Sequence, residues 1–330
     1  MTRLSTDNRF VARVLALVHS RFLRRASTAV LALVGTAAGA FTVRHFVDKG
    51  WPLTNADPLL VCAAAALFLG AYGFKAFGWR RLFAREERPS PQALAAATGA
   101  ATVTGVALPG RFDDVVRITV VRRFRSSKAG FGAIALSIVL VGFLDSAALT
   151  PLASIAAGLL EVSAGVRIGL ALVAAAGIGA ALIVVAMPRL HRSRRLAPFR
   201  LVRWLAAHSA GTREASKAWA LISASWALRA AALYILFGAL GLDGSFLLAL
   251  LFLCASAASA ALPVAPAGAA TQAGAGAAIL ALSGVGASSA LAYAVAAQGL
   301  VVLTGAAVVL LAGAWEARIR FRLRPAFASR

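Results

Sequence analysis

Two ionisable residues interrupt long apolar segments of this chain, which makes them the first candidates for chemistry. Asp145 lies in the middle of the apolar run Ala129–Leu160, and Arg229 lies in the middle of Ala218–Leu240. A charge at the centre of a hydrophobic helix costs about 2.5–3.5 kcal/mol on insertion scales, so it normally faces protein and has a partner. The simplest hypothesis is a direct Asp145–Arg229 ion pair. Such a pair either binds an anionic group or only fixes helix register. A third alternative is that Arg229 extends toward a membrane interface.

Other motifs for catalysis are missing from the sequence. It has no Gly-Lys-Ser/Thr phosphate loop, no Gly-x-Ser-x-Gly, no His-Glu-x-x-His and no paired aspartates suited to a metal on a nucleotide-sugar. Cys62 and Cys254 have no Cys or His neighbour at metal-binding spacing. No segment between the apolar runs exceeds about 30 residues, which is too short for a separate catalytic domain. We therefore expect no enzyme, no catalytic residue, no metal site and no cofactor.

The elements that position Asp145 and Arg229 have the composition of membrane helices. The chain has 330 residues, of which 60% are hydrophobic and 14% charged, and its mean hydropathy is +0.81. Residues 244–315 contain no charged side chain, and one helical pass of a bilayer needs about 20 apolar residues. The sequence therefore predicts an all-α, polytopic integral membrane helical bundle.

Basic residues give this bundle an orientation. The formal net charge is +22, and most of the 34 Lys and Arg residues fall in the segments 1–25, 74–88, 111–128, 189–217 and the tail 316–330. Short basic loops mark the cytoplasmic side, so both termini are expected in the cytoplasm of a multi-pass plasma membrane protein. Segment 1–25 has no long apolar core and is expected to be a basic cytoplasmic segment rather than a cleaved signal. Since the charge follows the loops, the expected partners are membrane lipids and not nucleic acid.

Alternation of these loops predicts about six full passes and two re-entrant helical hairpins within one domain, residues 26–315. The first hairpin, near 91–108, has basic flanks on both sides. The second, near 245–282, contains Pro263 and Pro266. Three ordinary passes satisfy the same charge count as this hairpin followed by one pass. The six predicted passes are Ala26–Val43, Pro58–Phe77, Ala129–Leu160, Ile168–Met187, Ala218–Leu240 and Ser289–Gly313.

The two hairpins share the tripeptide Ala-Leu-Pro, at 107–109 and at 261–263. Broken segments in both halves of a transporter indicate a substrate site near the bilayer midplane, at the interface of inverted repeats. Non-helical backbone at this depth needs protein or water around it. The alternative is that Ala-Leu-Pro recurs by chance in an Ala-rich chain. After the first hairpin, Arg111–Lys128 has an apolar stripe and an Asp113–Arg117 pair at i,i+4, which predicts an amphipathic helix in the cytoplasmic interface.

These segments resemble a known family. The string Leu108–Arg117 (LPGRFDDVVR) resembles the PGR-x-GE-x-x-R element of the lysylphosphatidylglycerol synthase transmembrane family, and Asp145 falls where that family has ER-x-x-D. Residues 262–268 resemble its P-x-x-PGG-x-G-x-x-E element. The resemblance implies a polytopic fold with re-entrant helices and a role in moving lipid between leaflets. The matching positions are Gly110, Arg111, Arg117, Asp145, Pro263, Pro266 and Gly268.

The chain departs from the family pattern at polar positions. Asp113-Asp114 replaces Gly-Glu, and Ala273 stands where the family has a glutamate. The resemblance therefore implies a divergent member with fewer polar groups in its core, and we expect it to lack the synthase domain. Its substrate is therefore not necessarily an aminoacylated lipid.

Together these features predict a flippase-like translocase for a phosphate-bearing lipid, with an anionic phospholipid as partner. Arg111 and Arg117 would capture the headgroup, and Arg229 with Asp145 would line the path. The breaks at Gly110, Pro263, Pro266 and Gly268 would leave backbone groups free. The alternative is a non-transporting accessory subunit in cell-envelope lipid or glycan synthesis. A homo-oligomer is compatible with the sequence, which does not determine the oligomeric state.

Overall fold

The computed structural model describes residues 50–106, 112–124, 127–159, 163–187, 189, 211–261 and 268–323. Several predictions lie outside these residues. They are the basic segment 1–25, the pass Ala26–Val43, the end of the tail, and the site residues Gly110, Arg111, Pro263 and Pro266.

The described part of the chain is helical throughout, which confirms the all-α prediction. Five of its helices are long and apolar enough to cross a membrane, and they coincide with the five predicted passes after Ala26–Val43. The helices are α1 Pro58–Arg80, α2 Pro91–Thr104, α3 Phe112–Arg123, α4 Phe131–Leu159, α5 Ala164–Ala186, α6 Thr212–Ala239, α7 Phe246–Ala261, α8 Gly268–Leu282 and α9 Ala287–Leu323.

Local sequence fixes where the first helices begin. Asp57 caps α1, because its Oδ1 accepts hydrogen bonds from the backbone amides of Leu59 (2.8 Å) and Leu60 (3.3 Å). Ser90 caps α2 in the same way through the amide of Ala93 (3.2 Å). A proline follows each cap, at a position where its missing N–H is not needed. Each helix therefore starts at a defined residue, which sets the register of its side chains.

Helices α1 and α6 form the centre of the bundle and run antiparallel along their whole lengths. At one end the Asp57 amide donates to the Ala239 carbonyl (2.9 Å). At the other end Gly78 lies against Ile222, where a Cβ atom would approach that side chain to 2.9 Å. Small residues at such crossings let two membrane helices approach closely. The pair is therefore held in one register.

Around this central pair the chain forms two equivalent sets of four helices, α1–α4 and α6–α9. Each set has a long helix, two short helices that pack on each other, and a second long helix. The sets also exchange partners: α2 packs on α9, and α7 packs on α4. Likewise α1 contacts α9 and α6 contacts α4. Each of these contacts in the first set has a counterpart in the second, which is the pattern expected of an inverted repeat with a pseudo-two-fold axis.

The short helices form two helical hairpins. In the second, α7 and α8 are antiparallel, and the Ser256 hydroxyl donates to the Gln272 carbonyl (3.0 Å). Arms of 16 and 15 residues span about 24 and 22 Å, less than a bilayer core.

The first hairpin differs from the prediction in its composition. Residues 91–104 are one helix of 14 residues rather than a hairpin of their own, since about 21 Å of helix leaves no room for a turn. Its second arm is α3, which was predicted to lie separately in the interface and instead packs on α2 and α4. Ion pairs of Arg117 with Asp113 and Asp114 lower the cost of placing these three charges beside the other helices.

Candidate functional site

The site lies where α1 and α6 cross, and it begins with a repeated spacing. On α1, Tyr72 precedes Lys75 by three residues, and on α6, Trp226 precedes Arg229 by three residues. Because the helices are antiparallel, each cation meets the aromatic ring of the other helix. Lys75 Nζ lies 6.0 Å from the Trp226 ring centroid, and Arg229 Cζ lies 5.8 Å from the Tyr72 ring centroid. This reciprocal pair of cation–π contacts follows the pseudo-two-fold symmetry of the helix sets.

Asp145 of α4 contacts one of these two cation–aromatic pairs, that of Lys75 with Trp226. Its Oδ2 lies 2.7 Å from Lys75 Nζ, and its Oδ1 accepts a hydrogen bond from Trp226 Nε1 (2.9 Å). The side chains of Lys75 and Asp145 are 11% and 20% exposed. The predicted direct Asp145–Arg229 ion pair is therefore wrong. The carboxylate contacts the side chains of Lys75 on α1 and Trp226 on α6, and not the guanidinium of Arg229.

Arg229 remains without a carboxylate partner within the described residues. Its guanidinium contacts the faces of two rings, with Cζ 5.0 Å from the Trp226 centroid as well as against Tyr72. The reason lies in the sequence. The second helix set places α9 where the first places α4, but residues 244–315 contain no charge. Arg229 therefore has no aspartate at the position in the second set that corresponds to Asp145 in the first.

Tyr72 connects this cluster to two further helices. Its hydroxyl donates toward the Val301 carbonyl of α9 (3.2 Å) and lies 3.1 Å from Thr102 Oγ1 of α2. Tyr72 itself is 1% exposed. A buried hydroxyl bonded on two sides holds the ring in place, so the ring forms a fixed surface for Arg229.

The first hairpin adds a third cation at the edge of the cluster. Arg117 pairs with Asp113 (3.2 Å) and Asp114 (2.8 Å) on its own helix. It is also close enough to Lys75 to repel its charge, as Arg229 is. The arrangement thus has three cations around one shared region. Lys75 is paired with Asp145 and Arg117 with Asp113 and Asp114, whereas Arg229 has no carboxylate partner among the described residues.

The structure brings together three of the predicted site residues, Arg117, Asp145 and Arg229. Gly268 is the first residue of α8, and the other predicted positions lie outside the described residues. Sequence reasoning missed Lys75, Tyr72 and Trp226. Lys75 falls among the loop cations that indicate topology, which concealed its role. The available signal was the aromatic-x-x-cation spacing that recurs in the two central helices.

Comparison with protein families finds one match, described as "Lysylphosphatidylglycerol synthase TM region", over residues 37–313. The matched region includes every helix of the site and both hairpins. Comparison with curated proteins and with solved structures finds no match.

Proposed function

The chain belongs to the family of lysylphosphatidylglycerol synthase transmembrane regions, and we propose that it moves a phosphate-bearing lipid between the leaflets of the membrane. Family membership and the five apolar helices make it an integral membrane protein of lipid-related processes. We also propose that it lies in the plasma membrane with both termini in the cytoplasm and that it catalyses no reaction.

One observation carries the proposal: the partly buried guanidinium of Arg229 has ring contacts but no carboxylate among the described residues. A cation within a membrane bundle is costly and normally acquires a partner. A phosphate is the partner that a guanidinium binds with bidentate geometry. The lipid phosphate would therefore occupy the place where symmetry would put a second aspartate. Asp145 pairs with Lys75, so its carboxylate does not compete with a phosphate for Arg229.

The remaining parts have supporting roles. Arg111, which precedes α3 in the sequence, would attract the headgroup toward the cluster by its charge, and Arg117 would line the route while paired with Asp113 and Asp114. The hairpins would provide backbone groups at their turns, through Gly110, Pro263, Pro266 and Gly268, as broken helices do in transporters. Asp145, paired with Lys75 rather than with Arg229, would line the path without competing for the phosphate.

An assay of leaflet exchange tests the proposal. The protein is reconstituted in liposomes containing a fluorescent phosphatidylglycerol, and the rate at which the inner-leaflet probe becomes accessible to a membrane-impermeant quencher is measured. Loss of a charge-assisted bond of about 1.5–3 kcal/mol in Arg229→Ala should slow exchange at least about tenfold. The matched control is Arg167→Ala, since Arg167 is exposed on α5 and its variant should exchange lipid at the wild-type rate. If wild type and Arg229→Ala are both no faster than empty liposomes, the proposal fails.

A non-transporting accessory subunit remains the second candidate, and one observation favours it. Both oxygens of Asp145 are satisfied inside the bundle, as expected for a contact that only holds helices together. This alternative expects Arg229→Ala to change stability alone, and it expects co-purification with an envelope-synthesis enzyme.

A further inference from the structure

A groove of about 370 Å³ lies between α1, α2 and α9, next to the cluster but separate from it. Small and apolar residues make up most of its lining, together with Tyr72. Exposed side chains flank it, among them Leu311 at 67% and Trp315 at 55%. Its lining includes Tyr72, Gly73, Gln92, Ala95, Leu311 and Trp315.

We propose that this groove holds an acyl chain of the transported phospholipid and guides it from the cytoplasmic leaflet to the cluster. The inference rests on the proposed function, which it deepens by adding a subsite for the lipid tail. The walls of the groove belong to two helices that can cross a membrane and to the short helix between them. In a bilayer the groove therefore opens to hydrocarbon. A lipid acyl chain matches its mostly apolar lining.

The outer end of the groove has the polarity of a headgroup region. Gln92 is in the first turn of α2 and Trp315 is near the end of α9, where an indole ring favours the level of the headgroups. Arg80 is held beside the start of α2, because its Nε donates to the Pro89 carbonyl (3.0 Å). Arg318 follows Trp315 by three residues and is exposed. These two cations complement the phosphate of an anionic lipid whose chain lies in the groove.

Tyr72 belongs both to the lining of the groove and to the cluster. The guanidinium of Arg229 lies 5.8 Å from the centroid of its ring. A lipid that enters from the side would therefore have its chain in the groove while its phosphate advances toward Arg229. Hydrogen bonds to α2 and α9 hold Tyr72, so its side chain moves only if those helices move.

Filling the groove tests the inference. A Cβ atom at Gly73 meets no heavy atom within 4 Å, so Gly73→Leu extends into the groove without a backbone clash. Gly179 on α5 is equally open, and Gly179→Leu is the matched control. The probe is a phosphatidylglycerol with a photoactivatable diazirine in one acyl chain, in bilayers with the full chain. Labelled peptides are identified by mass spectrometry.

The wild type and Gly179→Leu should be labelled in peptides of α1, α2 and α9 that line the groove. Gly73→Leu should lower that labelling about tenfold, because about two methylene groups of the acyl chain would no longer be buried. It should also slow leaflet exchange. Unlabelled groove peptides in the wild type, or equal labelling in Gly73→Leu, overturn the inference. So does a loss of labelling that leaves the exchange rate unchanged. A wild type that is labelled in the groove but exchanges no lipid supports the acyl-chain site and overturns the proposed function.

Discussion

Removal of the Asp145 charge perturbs the cluster most directly. In Asp145→Asn, the ammonium of Lys75, which is only 11% exposed, loses its counter-ion at 2.7 Å. At an effective dielectric constant of about 20, two charges about 4 Å apart attract by about 4 kcal/mol. Breaking a buried pair by removing one partner costs about 3–5 kcal/mol. Because Asp145 is 20% exposed, we expect the lower end, a fall of about 3 kcal/mol in the free energy of unfolding.

A double variant separates the ion pair from the packing. Lys75→Met combined with Asp145→Asn removes both charges, keeps most of the volume and leaves an amide oxygen at position 145 to accept from Trp226 Nε1. Because no uncompensated charge is left behind, we expect the double variant within about 1 kcal/mol of the wild type. The coupling between the two positions is then at least about 2 kcal/mol.

Reversible unfolding of the purified protein in mixed micelles measures these free energies. Asp243→Asn is the matched control, because Asp243 is exposed in the segment after α6, and it should change stability by less than about 0.5 kcal/mol. The expectation is refuted if Asp145→Asn is as stable as the control. It is also refuted if the effects of Asp145→Asn and of Lys75→Met, each made alone, add up in the double variant, since the charges would then not interact.

Three further substitutions test single contacts by the same unfolding measurement. Trp226→Phe keeps a ring beneath the cations but removes the hydrogen bond to Asp145, so stability should fall by about 1.5 kcal/mol, and an unchanged midpoint would contradict that bond. Gly99→Leu should cost more than about 2 kcal/mol, because a Cβ atom there would lie 2.5 Å from the Gly305 carbonyl oxygen and would separate α2 from α9; wild-type stability would argue against this crossing. Glu214→Gln removes a carboxylate that pairs with two arginines of the segment between α1 and α2, and should cost about 1 kcal/mol at low salt and less at high salt; a loss independent of salt would exclude the ion pairs as its cause.

The helices could be predicted from the sequence because each long helix must be apolar over its own length, which is a local property. The start of Pro58–Arg80 was predicted to the residue, and Phe131–Leu159 to within two residues at either end. The end of α9 was not predicted. This helix continues to Leu323 through a charged segment, since the exclusion of charge limits the membrane-embedded part but not the helix itself.

The partners of the embedded charges could not be predicted in the same way. Asp145 and Arg229 stood out because each interrupts an apolar run, but the contact of Asp145 with Lys75 depends on how three helices cross. Lys75 lies only five residues before the end of α1, where a cation commonly marks the membrane interface. A hydrophobicity pattern has no information on such crossings, whereas the repeated aromatic-x-x-cation spacing has some, because it becomes meaningful once α1 and α6 are known to be antiparallel.

The central claim is that Arg229 is the binding site of a lipid phosphate, and an experimental structure of the protein in a lipid bilayer tests it most directly. We predict density for a phosphate within hydrogen-bond distance of the Arg229 guanidinium, and its loss in Arg229→Gln. A guanidinium that contacts only protein groups in a lipid-filled bilayer, with headgroup density confined to the outer faces of the bundle, would contradict the claim.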